Sequence, residues 1–336
     1  MAKVNDLGAR DDAGRLLGRP MIDTVWQGQR VRAVGGEVVF RPEQETKQEF
    51  FVHVLANTLG NDWKVAQDKL AESERHPLVE WVAEWDELRK NHGEKARDKR
   101  DEGGGQYSWT ATGNLSSLIA LAYDAYTLRH AMALSSDDAI VKRLGNRAQF
   151  QGARYELAVA AMMVRAGYTI EWITDTSRKL PEFVARRDDV EIVVEAKSRL
   201  RPGLLGAPGE RPSDDELKAD LSRLLRDALG KETDGRAFVV FLDLNLPPRG
   251  ERPTEEWMKQ LHDEVMAPRG EASAENPDTF SAVVFTNFSW HWHGTESSRG
   301  AESALVIPFF PLVALPSGEV DRIWEAVQQY GSVPEG

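Results

Sequence analysis

Residues 181–199 read PEFVARRDDVEIVVEAKSR and contain the pattern that decides the fold. Two short runs rich in β-branched and aromatic residues, EFVAR and EIVVEAK, flank the polar turn RDD. Runs of this kind on either side of a polar turn predict an antiparallel hairpin. We therefore expect two paired strands, with Glu182 at the start of the first and with Glu195 and Lys197 near the end of the second.

Side chains alternate across a strand, so residues two apart point to the same face. The second strand then places Glu195 and Lys197 side by side, while Ile192, Val194 and Ala196 face a covering helix. The hairpin also sets Glu182 opposite the region of Glu195. Two carboxylates so close repel each other unless a proton or a cation lies between them.

A hard divalent cation such as Mg²⁺ or Mn²⁺ fits this pair, because it prefers carboxylate and carbonyl oxygens. Such an ion polarises a phosphate and lowers the pKa of bound water. Lys197 could orient or deprotonate that water, or stabilise the negative charge that develops on phosphorus oxygens. The hairpin is therefore compatible with a metal site that acts on a phosphate, and equally with a solvated charged pair on an exposed sheet face.

The spacing E-x-K alone is weak evidence for such a site. The chain contains it at 45–47, 195–197 and 216–218, and a related Asp-x-Lys lies at 62–64. All but 195–197 lie in segments predicted to be helical, where residues i and i+2 point apart. Only 195–197 ends a β-run and follows a proline and a carboxylate at hairpin distance.

With its flanking elements, this stretch resembles the PD-(D/E)xK superfamily of nucleases, also called restriction-endonuclease-like. The superfamily motif is Pro-Asp on one strand and Glu/Asp-x-Lys on the next, and the matching positions are Pro181-Glu182 and Glu195-Ala196-Lys197. The resemblance covers roughly 150–245. It implies an α/β (α+β) fold, namely an αβββαβ core with a mixed central sheet, since the pattern along these residues reads helix, three strands, helix, strand.

The resemblance also implies roles for individual residues. Glu182 and Glu195 would bind Mg²⁺ or Mn²⁺ with the Ala196 carbonyl as a third ligand, and Lys197 would assist the attacking water. Glu156, on the first helix of the core, would hold a metal-bound water or a second ion. The superfamily usually has Asp at the position of Glu182, and the extra methylene moves this carboxylate further from the backbone.

The remaining sequence predicts two regions around this core. Residues 1–113 form a mainly helical accessory region that begins with short β-hairpins and ends in a charged, glycine-rich linker at 91–113. The core with a preceding helix, which we expect to begin near Asn114, spans 114–250. Residues 251–336 form a strand and helix extension. Within it, Pro308 and Pro311 place the strand ALVIPFFPLVAL at a sheet edge.

Composition limits the classes of function. The 336 residues include no cysteine, which excludes disulfides and thiolate metal sites. The N-terminus has no apolar signal region, and no run reaches the roughly 20 apolar residues of a membrane span. We therefore expect a cytoplasmic protein that does not enter a membrane.

The formal net charge is −12, so binding to nucleic acid requires a locally basic surface. Residues 178–201 carry seven cations against five carboxylates. From this stretch Lys179, Arg199 and Arg201 are the predicted contacts to nucleic-acid phosphates.

We therefore expect a metal-dependent nuclease, a hydrolase of phosphodiester bonds, and most simply a DNA endonuclease that could defend against foreign DNA. A catalytically inactive module that keeps the fold and binds nucleic acid or a protein partner is the alternative. Many nucleases of this type pair two sites to cut both strands, so a homodimer and a larger defence complex are both open.

Several of these side chains could also have purely structural partners. Glu182 could pair with Arg186 or Lys179, and Glu156 could simply balance Arg154. The sequence His291-Trp292-His293 would put two imidazoles on one strand face, an arrangement that can bind a transition metal. No third ligand is visible in the sequence, so a structural role is favoured there.

Overall fold

The structure is a computed structural model that describes residues 9–99, 111–212, 221–247, 259, 261, 263, 272–297 and 301–334, without the side chains of 92–99. Its helices are α1 (Lys47–Leu59), α2 (Asn61–Asp68), α3 (Pro77–Lys99), α4 (Gly113–His130), α5 (Ala139–Leu144), α6 (Phe150–Arg165), α7 (Leu221–Leu229) and α8 (Ser317–Gln328). Short 3-10 turns cover Glu72–Glu74 and Ser289–Trp292. Among the helices described here, none is both long and apolar enough to cross a bilayer.

The strands form one large sheet and two small ones. They are β1 (Ala9–Arg10), β2 (Leu16–Gly18), β3 (Asp23–Trp26), β4 (Gln29–Val34), β5 (Glu37–Pro42), β6 (Thr169–Trp172), β7 (Phe183–Arg187), β8 (Val190–Ser198), β9 (Ala237–Asp243), β10 (Ala282–Asn287) and β11 (Glu302–Val306). The large sheet has the order β11-β10-β9-β8-β7-β6. β8, β9 and β10 run parallel, whereas β6, β7 and β11 pair antiparallel with their neighbours.

The predicted mixed α/β architecture with a mixed central sheet is confirmed. From α6 to β9 the elements follow the order helix, three strands, helix, strand. α6 is buried on nearly every side, charged residues included, so it is enclosed by other elements. It contacts both β8 of the sheet and α4, so this central helix is fixed on two sides.

Three details differ from the sequence-based expectations. α3 continues to Lys99, so the first part of the predicted linker 91–113 is helical, and 100–110 lie outside the described residues. α4 is capped by Thr112 rather than Asn114, because the Thr112 side chain accepts a hydrogen bond from the Leu115 amide. Strand β11 is at the sheet edge, as predicted, but it ends at Val306, before both prolines.

The accessory region packs directly on the core. Buried residues form one continuous cluster that includes Phe50 of α1, Leu118 of α4 and Val193 of β8. The short strands predicted at the start of the chain are confirmed as the antiparallel sheet β3-β4-β5. The boundaries proposed at 113 and 250 stay predictions.

Candidate active site

The hairpin of β7 and β8 brings the predicted carboxylates together. Its register pairs Phe183 with Val194 and continues to the two-residue turn at the other end. The Glu182 amide donates a hydrogen bond of 3.0 Å to the Val194 carbonyl, so Glu182 extends the paired segment by one residue. The predicted position of Glu182 beside the region of Glu195 is therefore confirmed.

Lys197 lies between the two carboxylates. Its Nζ is 2.6 Å from Oε1 of Glu195 and 3.5 Å from Oε1 of Glu182. The short contact with Glu195 confirms that side chains two apart on β8 share a face. The ammonium group thus supplies the positive charge that two neighbouring carboxylates require.

Glu195 is the most buried of these groups, with a side chain that is 0% exposed. Burial raises its pKa to about 7; Lys197 opposes this effect, and the negative charge of Glu182 adds to it. Oε2 of Glu195 has no hydrogen-bond partner among the described residues. A buried carboxylate oxygen without a partner carries a substantial desolvation cost, which a bound cation or donor would remove.

Burial alone would lower the pKa of Lys197. The carboxylates of Glu195, Glu182 and Glu156 outweigh this effect and hold the pKa above its ordinary value. Lys197 is therefore protonated at neutral pH. In this state it can stabilise negative charge, but it cannot accept a proton from water.

A second lysine, which the sequence motif does not include, lies at the site. Lys231 follows α7, and its Nζ lies 3.3 Å from Oε1 of Glu195 and donates a hydrogen bond of 2.8 Å to the Leu180 carbonyl. Two ammonium groups therefore face the same oxygen of one buried carboxylate. No local pattern around residue 231 indicates this contact, which depends on how α7 packs beside the hairpin.

Glu156 lies on α6 and is held by a residue that the sequence did not single out. Arg143 of α5 donates two hydrogen bonds to it, of 2.7 Å to Oε2 and 2.6 Å to Oε1. Burial raises the pKa of Glu156, Arg143 opposes this shift, and the charge of Glu182 contributes to it. The interpretation that Glu156 balances Arg154 is wrong, because Arg154 lies 3.7 Å from Asp243 instead.

These carboxylates do not form a ready-made metal centre. Within the described part of the chain, no three His, Cys, Asp or Glu side chains are arranged to hold an ion. Lys197 lies between Glu182 and Glu195, and Arg143 holds Glu156. The pair Glu182 and Glu195 still fits Mg²⁺, which commonly takes one or two carboxylates and completes its shell with water and phosphate oxygens.

The predicted contacts to nucleic acid are dispersed. The Arg201 side chain is buried and donates hydrogen bonds of 3.1 Å to the carbonyls of Leu244 and Asn245, so it braces the loop after β8. Arg199 is half-buried, and its backbone pairs with that of Asp243. Lys179 is exposed. Because its guanidinium faces the protein interior, Arg201 is not placed to contact a phosphate in solvent.

His291 and Trp292 lie in a 3-10 turn rather than in the predicted strand. Nε2 of His291 lies 2.7 Å from Oδ1 of Asn245, and the Trp292 indole donates a hydrogen bond to the same oxygen. Burial holds the pKa of His291 well below its ordinary range. This environment accords with the structural role favoured from the sequence.

Arg186 is not the partner of Glu182. Arg186 pairs with Glu171 and Glu191, whereas Glu182 lies near Lys197. The interpretation that Glu182 pairs with Arg186 is therefore wrong.

Comparison of the chain with protein-family models, with curated proteins and with solved structures finds no match. The resemblance to the PD-(D/E)xK superfamily consequently rests on the motif and on the element order around it.

Proposed function

We propose that the protein is a metal-dependent nuclease of the PD-(D/E)xK type that hydrolyses phosphodiester bonds, most simply in DNA. The observation that carries this proposal is the convergence of Glu182, Glu195 and Lys197 at the end of the β7–β8 hairpin. Of the two E-x-K sequences in the described residues, 195–197 lies on β8 beside a second carboxylate, whereas 45–47 leads into α1. The third, at 216–218, lies outside the described residues.

In this proposal Glu182 and Glu195 would hold Mg²⁺ or Mn²⁺, and the Ala196 carbonyl would be a further ligand. When bound, the ion polarises the phosphate and lowers the pKa of water. Lys197 is long, flexible and 31% exposed, so it can leave the space between the carboxylates while keeping its charge near the phosphate. There it orients the attacking water and stabilises the negative charge of the transition state.

Glu156 has a supporting part in the same proposal. It is buried next to this group, and its charge contributes to the electrostatics of Lys197. It would supply a further carboxylate once it separates from Arg143. Its role therefore depends on the ion pair with Arg143, whereas the roles of Glu182 and Glu195 do not.

A catalytically inactive module is the second candidate, and one observation favours it. Lys197 and Lys231 both contact Oε1 of Glu195, so the buried charge is compensated without an ion. Such a cluster could serve stability alone. The two candidates differ in whether the carboxylates bind a divalent cation and whether nucleic acid is cut.

The test is cleavage of supercoiled plasmid, single-stranded DNA and RNA in the presence of Mg²⁺ or Mn²⁺. The proposal predicts cleavage by the wild-type protein and its loss in Lys197→Ala and Glu195→Ala. Glu191→Gln is the matched control, because Glu191 lies on the same strand and pairs with Arg186 and Arg236 instead. Cleavage by Lys197→Ala and Glu195→Ala at the wild-type rate would refute the assignment of the site.

A further inference from the structure

The segment 139–155 is unusually basic for this chain. It reads AIVKRLGNRAQFQGARY and contains four cations and no carboxylate, whereas the whole protein has a net charge of −12. It spans α5 and the first turns of α6, directly before Glu156. Proteins that bind nucleic acid commonly have a locally basic stretch that contacts the phosphates.

The four cations of this segment are not equivalent. Arg154 is buried beside Asp243, and Arg147 donates a hydrogen bond to the Ser73 carbonyl. Lys142 is exposed. Arg143 alone faces the proposed active site, where it binds Glu156.

The geometry of the Arg143 pair is that of a guanidinium with a planar, two-oxygen acceptor. Both oxygens of Glu156 accept hydrogen bonds, through separate nitrogens of the guanidinium. A phosphodiester presents two oxygens in a similar way, and arginine binds either group through paired hydrogen bonds. The Arg143 side chain is 37% exposed while that of Glu156 is 7% exposed, so Arg143 is the more accessible partner of the pair.

The ionised form of Glu156 is in an unfavourable electrostatic environment. Burial and the neighbouring charge of Glu182 both disfavour its ionised form, and Arg143 offsets them. The charges of Glu156 and Glu182 both act on Arg143. Arg143 is therefore the partly exposed cation beside a group of carboxylates, and a phosphate that approaches this group would require a cation.

We propose that Arg143 binds a backbone phosphate of the nucleic-acid substrate, and that Glu156 occupies its guanidinium until the substrate arrives. The inference rests on the proposed function for the identity of the substrate. It assigns the phosphate contact to α5, a helix outside the sequence motif, instead of to the loop after β8. Phosphate and Glu156 compete for one guanidinium, so removing the charge of Glu156 should strengthen binding.

A purely structural ion pair would behave differently. It would make both Arg143→Ala and Glu156→Gln less stable, and neither change would improve binding to nucleic acid. Competition instead predicts opposite effects of the two substitutions on affinity. Thermal unfolding of each variant, measured beside binding, separates the two roles.

The experiment measures the binding of a labelled short DNA duplex, and of its single strand, by fluorescence anisotropy. It is carried out in EDTA over a series of salt concentrations. Arg143→Ala should weaken binding about tenfold, the scale of one charge-assisted hydrogen-bonded contact. It should also reduce the slope of log K against log salt by about 0.9 for the duplex. Glu156→Gln should tighten binding, and the double variant should match Arg143→Ala.

Arg89 and Glu49 provide a matched control. They form a partly exposed ion pair of 2.7 Å between α3 and α1, away from the segment 139–155. Arg89→Ala and Glu49→Gln should bind DNA as the wild-type protein does. If Arg143→Ala does not fold, Arg143→Lys keeps the charge and loses the paired geometry, so it should weaken binding and leave the salt slope unchanged.

The inference is overturned if Arg143→Ala keeps the wild-type affinity for DNA and the wild-type salt slope. It is also overturned if Glu156→Gln does not bind DNA more tightly than the wild-type protein, or if the wild-type protein binds neither the duplex nor the single strand. Its failure is distinguishable from failure of the proposed function. If DNA is cleaved in a way that depends on Lys197, and Arg143→Ala binds DNA as the wild-type protein does, only the inference is refuted. If the variants change binding as predicted but no DNA is cleaved, only the nuclease proposal is refuted.

Discussion

Glu195 and Lys197 form a 2.6 Å ion contact in which the Glu195 side chain is fully buried and the Lys197 side chain is 31% exposed. The negative partner is thus fixed in the protein interior, while the positive charge is carried by a long, partly exposed side chain. Because a fixed carboxylate with a movable counter-charge can exchange one cation for another, this contact is the physical basis of the proposed metal site.

The protonation of Glu195 should appear in the stability of the protein. Its pKa in the folded protein is about 7 against an ordinary 4.5, so the folded state binds this proton more tightly than the unfolded chain. Binding of this proton therefore stabilises the folded protein fully below about pH 4.5, and this stabilisation is lost as the pH rises through 7. The loss amounts to roughly 3 kcal/mol in the free energy of unfolding.

Glu195→Gln keeps a neutral side chain at every pH and therefore isolates this effect. Urea unfolding should show that the variant gains stability relative to the wild-type protein between about pH 5 and pH 8. Glu191→Gln should show no comparable change, since arginine partners lower the pKa of Glu191. A difference between Glu195→Gln and wild type that is independent of pH would contradict the assigned protonation.

The buried pair of Asp124 and Arg165 should be a major contributor to stability. Arg165 Nη2 donates a hydrogen bond of 3.0 Å to Asp124, and the Tyr330 hydroxyl donates one of 2.8 Å to the other carboxylate oxygen. These contacts join α4, α6 and the segment after α8. Burial raises the pKa of Asp124 to about 6, so its charge depends on the arginine.

Arg165→Met removes one partner and leaves a buried carboxylate, which should lower the free energy of unfolding by about 3 kcal/mol or more. Chemical denaturation measures the loss. Arg178→Met removes an exposed arginine with two carboxylate partners and should leave stability unchanged within error. Equal effects of the two substitutions would show that burial of the pair has no energetic importance.

Gly113 begins α4 at a point where the chain passes against the carbonyl of Trp290. A Cβ atom at Gly113 would overlap that oxygen and would lie 2.9 Å from the Gly294 amide nitrogen. Gly113→Ala should therefore destabilise the protein by about 1–3 kcal/mol. Gly36→Ala meets no atom within 4 Å and should be neutral or slightly stabilising, and thermal unfolding of both variants compares them.

The part of the site that sequence could predict is the part that strand geometry fixes locally. Alternation along β8 placed Glu195 beside Lys197, and a two-residue turn fixed the register that brings Glu182 to them. Asp188 in that turn has φ 52°, a conformation that Asp tolerates better than most residues. These relationships extend over fewer than twenty residues and need no knowledge of tertiary packing.

The part that could not be predicted depends on packing between distant segments. Arg143 reaches Glu156 because α5 packs against α6, and Lys231 reaches Glu195 because the end of α7 lies beside the hairpin. Arg201 looked like a surface cation in the sequence, yet the loop after β8 turns its guanidinium toward buried carbonyls. Charge and local spacing do not reveal which cations turn inward.

Binding of Mn²⁺, measured by titration calorimetry, tests most directly the claim that Glu182 and Glu195 hold a catalytic cation. The wild-type protein and Glu191→Gln should bind the ion with the same affinity. Glu182→Gln and Glu195→Gln should weaken binding by at least about tenfold, the loss that follows even from removing a supporting partner of a ligand. Absence of binding to the wild-type protein, or equal binding by all four proteins, would contradict the claim.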